Sequence, residues 1–249
     1  IERVRRWWGQ RRMAQPTTAD SRAERSAAEA VPTYRRGAAK AFWYWFTSTA
    51  IWCVAKTLYG LRTHRPDRVP MTGPVVIVAN HQSHLDPPLV GGATKRQLSY
   101  LARDTLFKGR FGVLIRSYDA VPVDRDGSGL AGVRATLKRL KQGGAVVVFP
   151  EGTRSPDGEL QPLRPGFLTL VRRSKAVLVP LGLDGPHRVW PRGAKRPRLF
   201  GRIAMHYGEP LTPDEVAAAD DEGLLATVTR RLTEAIAGAR EMNGQKADG

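Results

Sequence analysis

Val75-Val76-Ile77-Val78-Ala79-Asn80-His81-Gln82-Ser83-His84-Leu85-Asp86 passes abruptly from an unbroken apolar run to a polar loop. Such a run, without alternation, is the pattern of a strand buried on both faces, as in a parallel sheet covered by helices. In sheets of that kind the loops at the carboxyl ends of the strands carry the working residues. This loop offers an imidazole, His81, and a carboxylate five residues later, Asp86. A histidine near neutral pKa accepts a proton from a hydroxyl, and a carboxylate on its other ring nitrogen fixes the tautomer and stabilises the imidazolium that forms. Two other readings use the same residues. Asp86 can cap backbone amides at a helix start before Pro87-Pro88, or His81, His84 and Asp86 can be metal ligands. The spacing departs from the His-x-His-x-Asp-His run of metallohydrolases, and His64, His187 and His206 stand in unrelated contexts, so no metal is expected. His84 is too close to Asp86 for the same pairing and reads as a surface or packing residue.

The second stretch of this kind is Val146-Val147-Val148-Phe149-Pro150-Glu151-Gly152-Thr153-Arg154-Ser155. Its break supplies a carboxylate, a glycine that permits close backbone approach, a hydroxyl and a guanidinium. Outward from these two runs, strand candidates at 121–123, 177–181 and 202–207 alternate with helix candidates near 87–94, 129–142 and 164–174. The alternation predicts an α/β fold, a central mixed β-sheet flanked by helices, preceded by an N-terminal membrane-interacting helical segment. Gly127-Ser128-Gly129 and Gly143-Gly144 fit neither a Walker loop nor a dinucleotide fingerprint, so nucleotide binding is set aside on that ground.

Taken together, Asn80-His81-x-Ser83-x-x-Asp86 and Phe149-Pro150-Glu151-Gly152-Thr153-Arg154 resemble the first and third signature blocks of the glycerolipid acyltransferases, the family of 1-acylglycerol-3-phosphate O-acyltransferases. Val121-Pro122-Val123-Asp124-Arg125 resembles the second block and Val177-Leu178-Val179-Pro180-Leu181 the fourth, a strand ending in proline. The second block departs from the usual pattern at Asp119 and Pro122. The resemblance covers roughly residues 70–210. It implies acyl transfer from acyl-CoA or acyl carrier protein to the hydroxyl of a lysophospholipid, with no cofactor. In that reading His81 is the general base and Asp86 holds its ring. Arg125 and Arg154 occupy the family positions for an acceptor phosphate, with Lys108 a third candidate, and Gly152 and Thr153 belong to the same binding loop. Glu151, which repels phosphate, is expected to orient Arg154 or an acceptor hydroxyl. Backbone amides near Glu151-Gly152 or at the helix start after His81 are candidates for the oxyanion.

With 40 Lys and Arg against 23 Asp and Glu, the net charge of +17 calls for an acidic partner or surface. Residues 185–208 concentrate Arg188, Arg192, Lys195, Arg196, Arg198 and Arg202 without an acidic residue, among Trp190, Phe200 and Tyr207. Cations beside aromatics suit an anionic membrane surface or an acidic carrier. Helix-turn-helix, zinc-finger and RNA-recognition signatures are lacking, so no nucleic acid partner is expected. The single cysteine, Cys53, excludes an internal disulfide and suits a reducing compartment.

Residues 1–37 read as a basic, disordered arm, and residues 1–12, ahead of Met13, as an upstream extension or the cut end of a longer chain. Residues 41–55 are uncharged and aromatic, with Trp43, Trp45 and Trp52 crowded together. Fifteen helical residues span about 22 Å, short of a roughly 30 Å hydrocarbon core. Basic residues on both flanks assign no orientation. An interfacial anchor over 38–66 is therefore expected, holding an acyltransferase domain of 67–242 on the cytoplasmic face of the cell membrane, with 243–249 as a tail. Thr212-Pro213-Asp214-Glu215 is a helix start, and Leu224, Leu225, Val228, Leu232 and Ile236 recur at helical spacing, so an amphipathic helix is expected to pack on the sheet.

Overall fold

Parallel strands buried on both faces need apolar side chains pointing both ways, and the runs at 75–79, 145–149 and 177–181 meet that demand. In the computed structural model, which describes residues 37–103, 107, 115, 120–123 and 130–244, they become the centre of one sheet. Along the chain run α1 (Ala38–Tyr59), β1 (Arg62–His64), β2 (Val75–Ala79), α2 (Asp86–Ala93), β3 (Leu98–Arg103), β4 (Val121–Val123), α3 (Leu130–Lys141), β5 (Ala145–Val148), α4 (Gly166–Ser174), β6 (Val177–Asp184), α5 (Pro186–Val189), β7 (Ala204–Tyr207), α6 (Pro213–Ala218) and α7 (Asp221–Met242). The seven strands lie in the order β1-β7-β6-β2-β5-β3-β4, and only β6 and β7 pair antiparallel. The expected mixed sheet flanked by helices is therefore the observed fold. The basic arm at 1–36, the end of the tail, Lys108 and Arg125 lie outside the described residues.

Side chains of β2 alternate between two cores. Val75, Ile77 and Ala79 join Tyr59, Leu89 and Val90 on the face covered by α1 and α2. Val76 and Val78 meet Leu140, Val171, Leu224, Val228 and Leu232 on the other face, from α3, α4 and α7. The long C-terminal helix thus packs on the sheet as its spacing predicted. Its backbone comes so close to β6 that a Cβ on Gly182 would lie 2.2 Å from the carbonyl carbon of Ala235. Residues 213–242 form two helices instead of one, because Asp220 caps a fresh start by accepting from the Gly223 amide, while Thr212 and Glu215 make a reciprocal capping box on α6.

Strand β6 does not end in proline; it runs three residues beyond the expected 177–181, with Pro180 inside it. The Pro180 carbonyl accepts from Gly208 on the β7 side, and the missing N–H points the same way. Pairing with β7 begins only at Leu181, so the ladder between β6 and β2 loses nothing. The polar β1, Arg-Thr-His, and β3 were not anticipated, since neither has a distinctive apolar pattern. One of the many arginines is structural: the buried Arg96 guanidinium donates to the carbonyls of Pro70, Thr72, Gly73 and Gly143 and ties together the loops that start β2 and β5. Burial pushes its pKa down to about 10, so it stays charged at neutral pH.

Candidate active site

The parallel register sets Val78 beside both Val148 and Pro180, so the chain leaves β2 and β5 side by side at the carboxyl edge. His81 and Glu151 emerge there together. The His81 amide donates to Glu151 Oε1 at 2.6 Å, and the His81 carbonyl accepts from the Ser155 amide at 2.7 Å. The other Glu151 oxygen accepts from the Gln161 amide at 3.0 Å. Glu151 is thus buried as a bridge between two loops, and its hydrogen bonds go to backbone instead of to Arg154. Burial raises its pKa to about 6, against the pull of those two amides. Gly152 turns the chain at φ +74°, where a Cβ would also press on the Arg164 side chain.

Asp86, the first residue of α2, is fully buried. Its Oδ2 accepts from the Gln82 amide at 2.6 Å and the Ser83 amide at 2.7 Å, and lies 2.8 Å from His81 Nδ1. The orienting reading of Asp86 fits this geometry, whereas the helix-capping reading does not: the two amides it accepts from belong to the preceding turn, and α2 starts without a side-chain cap. An ionised carboxylate only accepts, so the ring proton sits on Nδ1 and Nε2 presents a lone pair. Phe149 stacks on the imidazole with ring centroids 4.3 Å apart, which restrains its tilt.

Three further side chains, whose contacts lie far along the chain, brace this loop. Asn80 exchanges two hydrogen bonds with the backbone of Leu183. Gln82 donates to the Gly158 carbonyl and accepts from the His187 amide. Ser83 donates to the Trp190 carbonyl. These roles do not show in the order of residues, because every partner sits on a separate loop or strand.

On the solvent side, Thr153 is exposed and Arg154 half-buried. Among the described residues the Arg154 guanidinium has no hydrogen-bond or ion-pair partner. Burial, then the neighbouring Arg192, lowers its pKa, and the Asp86 charge opposes that shift. His84 is exposed, with its ring 5.5 Å from Trp190, and burial followed by the charges of Arg154 and His81 holds its pKa down. The amides expected to meet an oxyanion are already engaged: Gly152 donates to Phe149, and Gln82 and Ser83 donate to Asp86. Tyr207, expected among interfacial aromatics, is fully buried and hydrogen-bonded to Thr94, because it belongs to β7. Among the described residues no group of three or more His, Cys, Asp or Glu side chains is placed to hold a metal ion.

The arrangement is a held imidazole with one open nitrogen beside an unpaired guanidinium. It can take a proton from a bound hydroxyl next to an anionic group. The hydroxyls of Ser83 and Ser155 are occupied structurally, Ser83 on Trp190 and Ser155 between Asp157 and Gly158. Cys53 is exposed on α1.

The family model for acyltransferases matches residues 60–184, half of the chain. The chain is 29% identical over 197 residues to 1-acyl-sn-glycerol-3-phosphate acyltransferase of Bacillus subtilis, covering 78% of itself and 94% of that protein. It is 31% identical to 1-acyl-sn-glycerol-3-phosphate acyltransferase alpha of Mus musculus, covering 67% of itself and 62% of that protein. The fold matches the crystal structure of the 1-acyl-sn-glycerophosphate (LPA) acyltransferase of Thermotoga maritima with a TM-score of 0.68 at 23% identity, over 92% of this chain and 90% of that one. With the signature blocks gathered at one sheet edge and the family model spanning both, the chain belongs to the acyltransferase family, as an O-acyltransferase.

Proposed function

We propose that this protein transfers a fatty acyl group from acyl-CoA or acyl carrier protein to the free hydroxyl of 1-acylglycerol 3-phosphate, giving phosphatidate. The observation that carries the reading is the His81–Asp86 pair with its open Nε2 beside the unpaired Arg154. The acceptor oxygen attacks the thioester carbonyl as His81 Nε2 takes its proton. The tetrahedral intermediate then expels the thiolate, which takes that proton from the imidazolium and leaves as the free thiol, so no acyl-enzyme forms. Asp86 stabilises the transient imidazolium; a positioned base of this kind contributes about 10² to 10⁴ in rate. Arg154, with Lys108 and Arg125, meets the acceptor phosphate, two of whose oxygens can pair with the planar guanidinium fork. Gly152 and Thr153 shape the same loop. Glu151 acts through the His81 backbone. The relatives named for this reaction support the choice of acceptor.

A lipid substrate also requires a lipid surface. Helix α1 buries Tyr44, Ser48, Ala55 and Tyr59 and exposes Phe42, Trp43, Trp45, Phe46 and Trp52. No helix among the described residues is long and apolar enough to cross a membrane. Residues 38–66 serve as an interfacial anchor on anionic lipid, holding the catalytic residues of 67–242 at the cytoplasmic face. The test is an assay of purified protein on mixed vesicles with lysophosphatidate and each thioester donor. Thiol release that depends on lysophosphatidate and yields phosphatidate is expected; release driven equally by a phosphate-free lysolipid would overturn the assignment of acceptor.

A further inference from the structure

A cleft of about 510 Å³ is lined by Arg188, Val189, Arg198, Phe200, Gly201, Arg202 and Asn243. Its size falls within the range of about 300 to 1,000 Å³ of small-molecule sites. Three guanidiniums around one aromatic ring are an unusual lining for a cleft that the proposed acceptor chemistry does not use. Arg188 is pre-set by Asp184, which Asn243 also holds at 2.6 Å. Arg198 and Arg202 have no side-chain partner among the described residues, and Phe200 is 67% exposed. Nothing in the core requires Phe200 to be aromatic.

The cleft is joined to the candidate catalytic loop through backbone. Its wall residue Val189 accepts from the Arg198 amide at 2.8 Å and precedes Trp190, whose carbonyl holds Ser83, two residues from His81. The Tyr59 hydroxyl donates to the Arg198 carbonyl, and Gly201 donates to Leu58, so the rim is fixed to the last turn of α1.

We propose that this cleft binds the adenosine 3′-phosphate 5′-diphosphate end of coenzyme A, with Phe200 stacked on the adenine and Arg188, Arg198 and Arg202 on the phosphates. Guanidiniums pair with phosphate through two parallel N–H groups, and any base offers a π-face to an aromatic ring. Phosphates are met here by side chains, so no Walker or Rossmann loop is needed. The pantetheine arm then runs past Trp190 and delivers the thioester to His81. This assignment rests on the thioester-transfer reading and names its donor.

The test compares wild type with Arg198→Gln, Arg202→Gln and Phe200→Ala, using acyl-CoA and an acyl-pantetheine that lacks the nucleotide. Wild type is also titrated with adenosine 3′,5′-bisphosphate by calorimetry, and every variant is floated with anionic vesicles. The KM for acyl-CoA should rise about tenfold for each arginine, the effect of one lost charge-assisted contact, and less for Phe200→Ala. Transfer from acyl-pantetheine, kcat and flotation should be unchanged, and wild type should bind the bisphosphate. Equal loss with both donors, no binding of the bisphosphate, or loss of flotation with an unchanged KM for acyl-CoA would overturn the proposal; the last would assign the cations to lipid. If the transfer reading itself is wrong, wild type releases no thiol from either donor, while binding of the bisphosphate still reports on the cleft.

Discussion

The loop at 80–86 and the loop at 190–202 lie next to each other and are built on opposite plans. In the first, the side chains of Asn80, Gln82, Ser83 and Asp86 are buried and tied to backbone, and they leave the open nitrogen of His81 available for chemistry. In the second, backbone bonds hold the chain while Lys195, Arg196, Arg198 and Arg202 have no side-chain partner among the described residues. A base must be fixed before the substrate arrives, whereas groups that capture an anion must have donors left to give. Rigidity and availability are thus divided between neighbours.

The most severe way to break the comparison is to remove the one open nitrogen. His81→Ala should cut acyl transfer by about 10² to 10⁴ with the fold intact by circular dichroism. Asp86→Ala should lose activity too, and also about 1–3 kcal/mol of stability for each stranded amide of Gln82 and Ser83, read by urea unfolding. Equal stability of the two variants would mean that the carboxylate does not hold the loop.

Arg154→Ala probes the boundary between the two plans. It should raise the KM for lysophosphatidate roughly 10- to 100-fold, the range of a lost hydrogen bond to a charged group, and leave a phosphate-free lysolipid nearly unaffected. Equal loss for both acceptors would remove Arg154 from the phosphate site.

A subtler effect comes from Glu151. Its native pKa, raised to about 6 by burial, exceeds the unfolded value of 4.5, so the native state holds the proton more tightly. That contribution to stability is complete below about pH 4.5 and is lost as pH rises through 6. A shift of this size corresponds to about 2 kcal/mol. The stability of wild type relative to Glu151→Gln should fall by that amount between pH 4.5 and 7 in urea unfolding; a constant difference would show that Glu151 does not titrate in this window.

The smallest change in stability is expected on α1. Replacing Phe42, Phe46 and Trp52 with Ala should each alter stability by no more than about 0.5 kcal/mol, since all three are exposed. Flotation with anionic vesicles should nevertheless drop; unchanged flotation would remove α1 as the anchor.

The strands at 75–79, 121–123 and 145–148, the last expected to run to 149, were legible because buried parallel strands write themselves as apolar runs or short β-branched pieces. His81 and Asp86 were legible because five residues of loop suffice to bring imidazole to carboxylate. The hydrogen bonds of Glu151 were not, because both of its donors, His81 and Gln161, are defined only once β2 and β5 lie side by side. Nor was the burial of Tyr207, which looked like an interfacial aromatic beside arginines until β7 carried it into the sheet. The exposed Phe200 could be told from it only by position.

What the amino-acid order determined alone is local: apolar runs that must be buried, a base spaced from its partner, helix caps at Thr212, and a surplus of cations with no acid nearby. These follow from interactions between residues close along the chain, or from sums over it. What only the tertiary structure decided is which distant groups meet, such as Asn80 with Leu183, Ser83 with Trp190, and three arginines around Phe200. Strand order and register set those meetings, and they depend on the simultaneous packing of both faces of the sheet, a property no short stretch of chain carries.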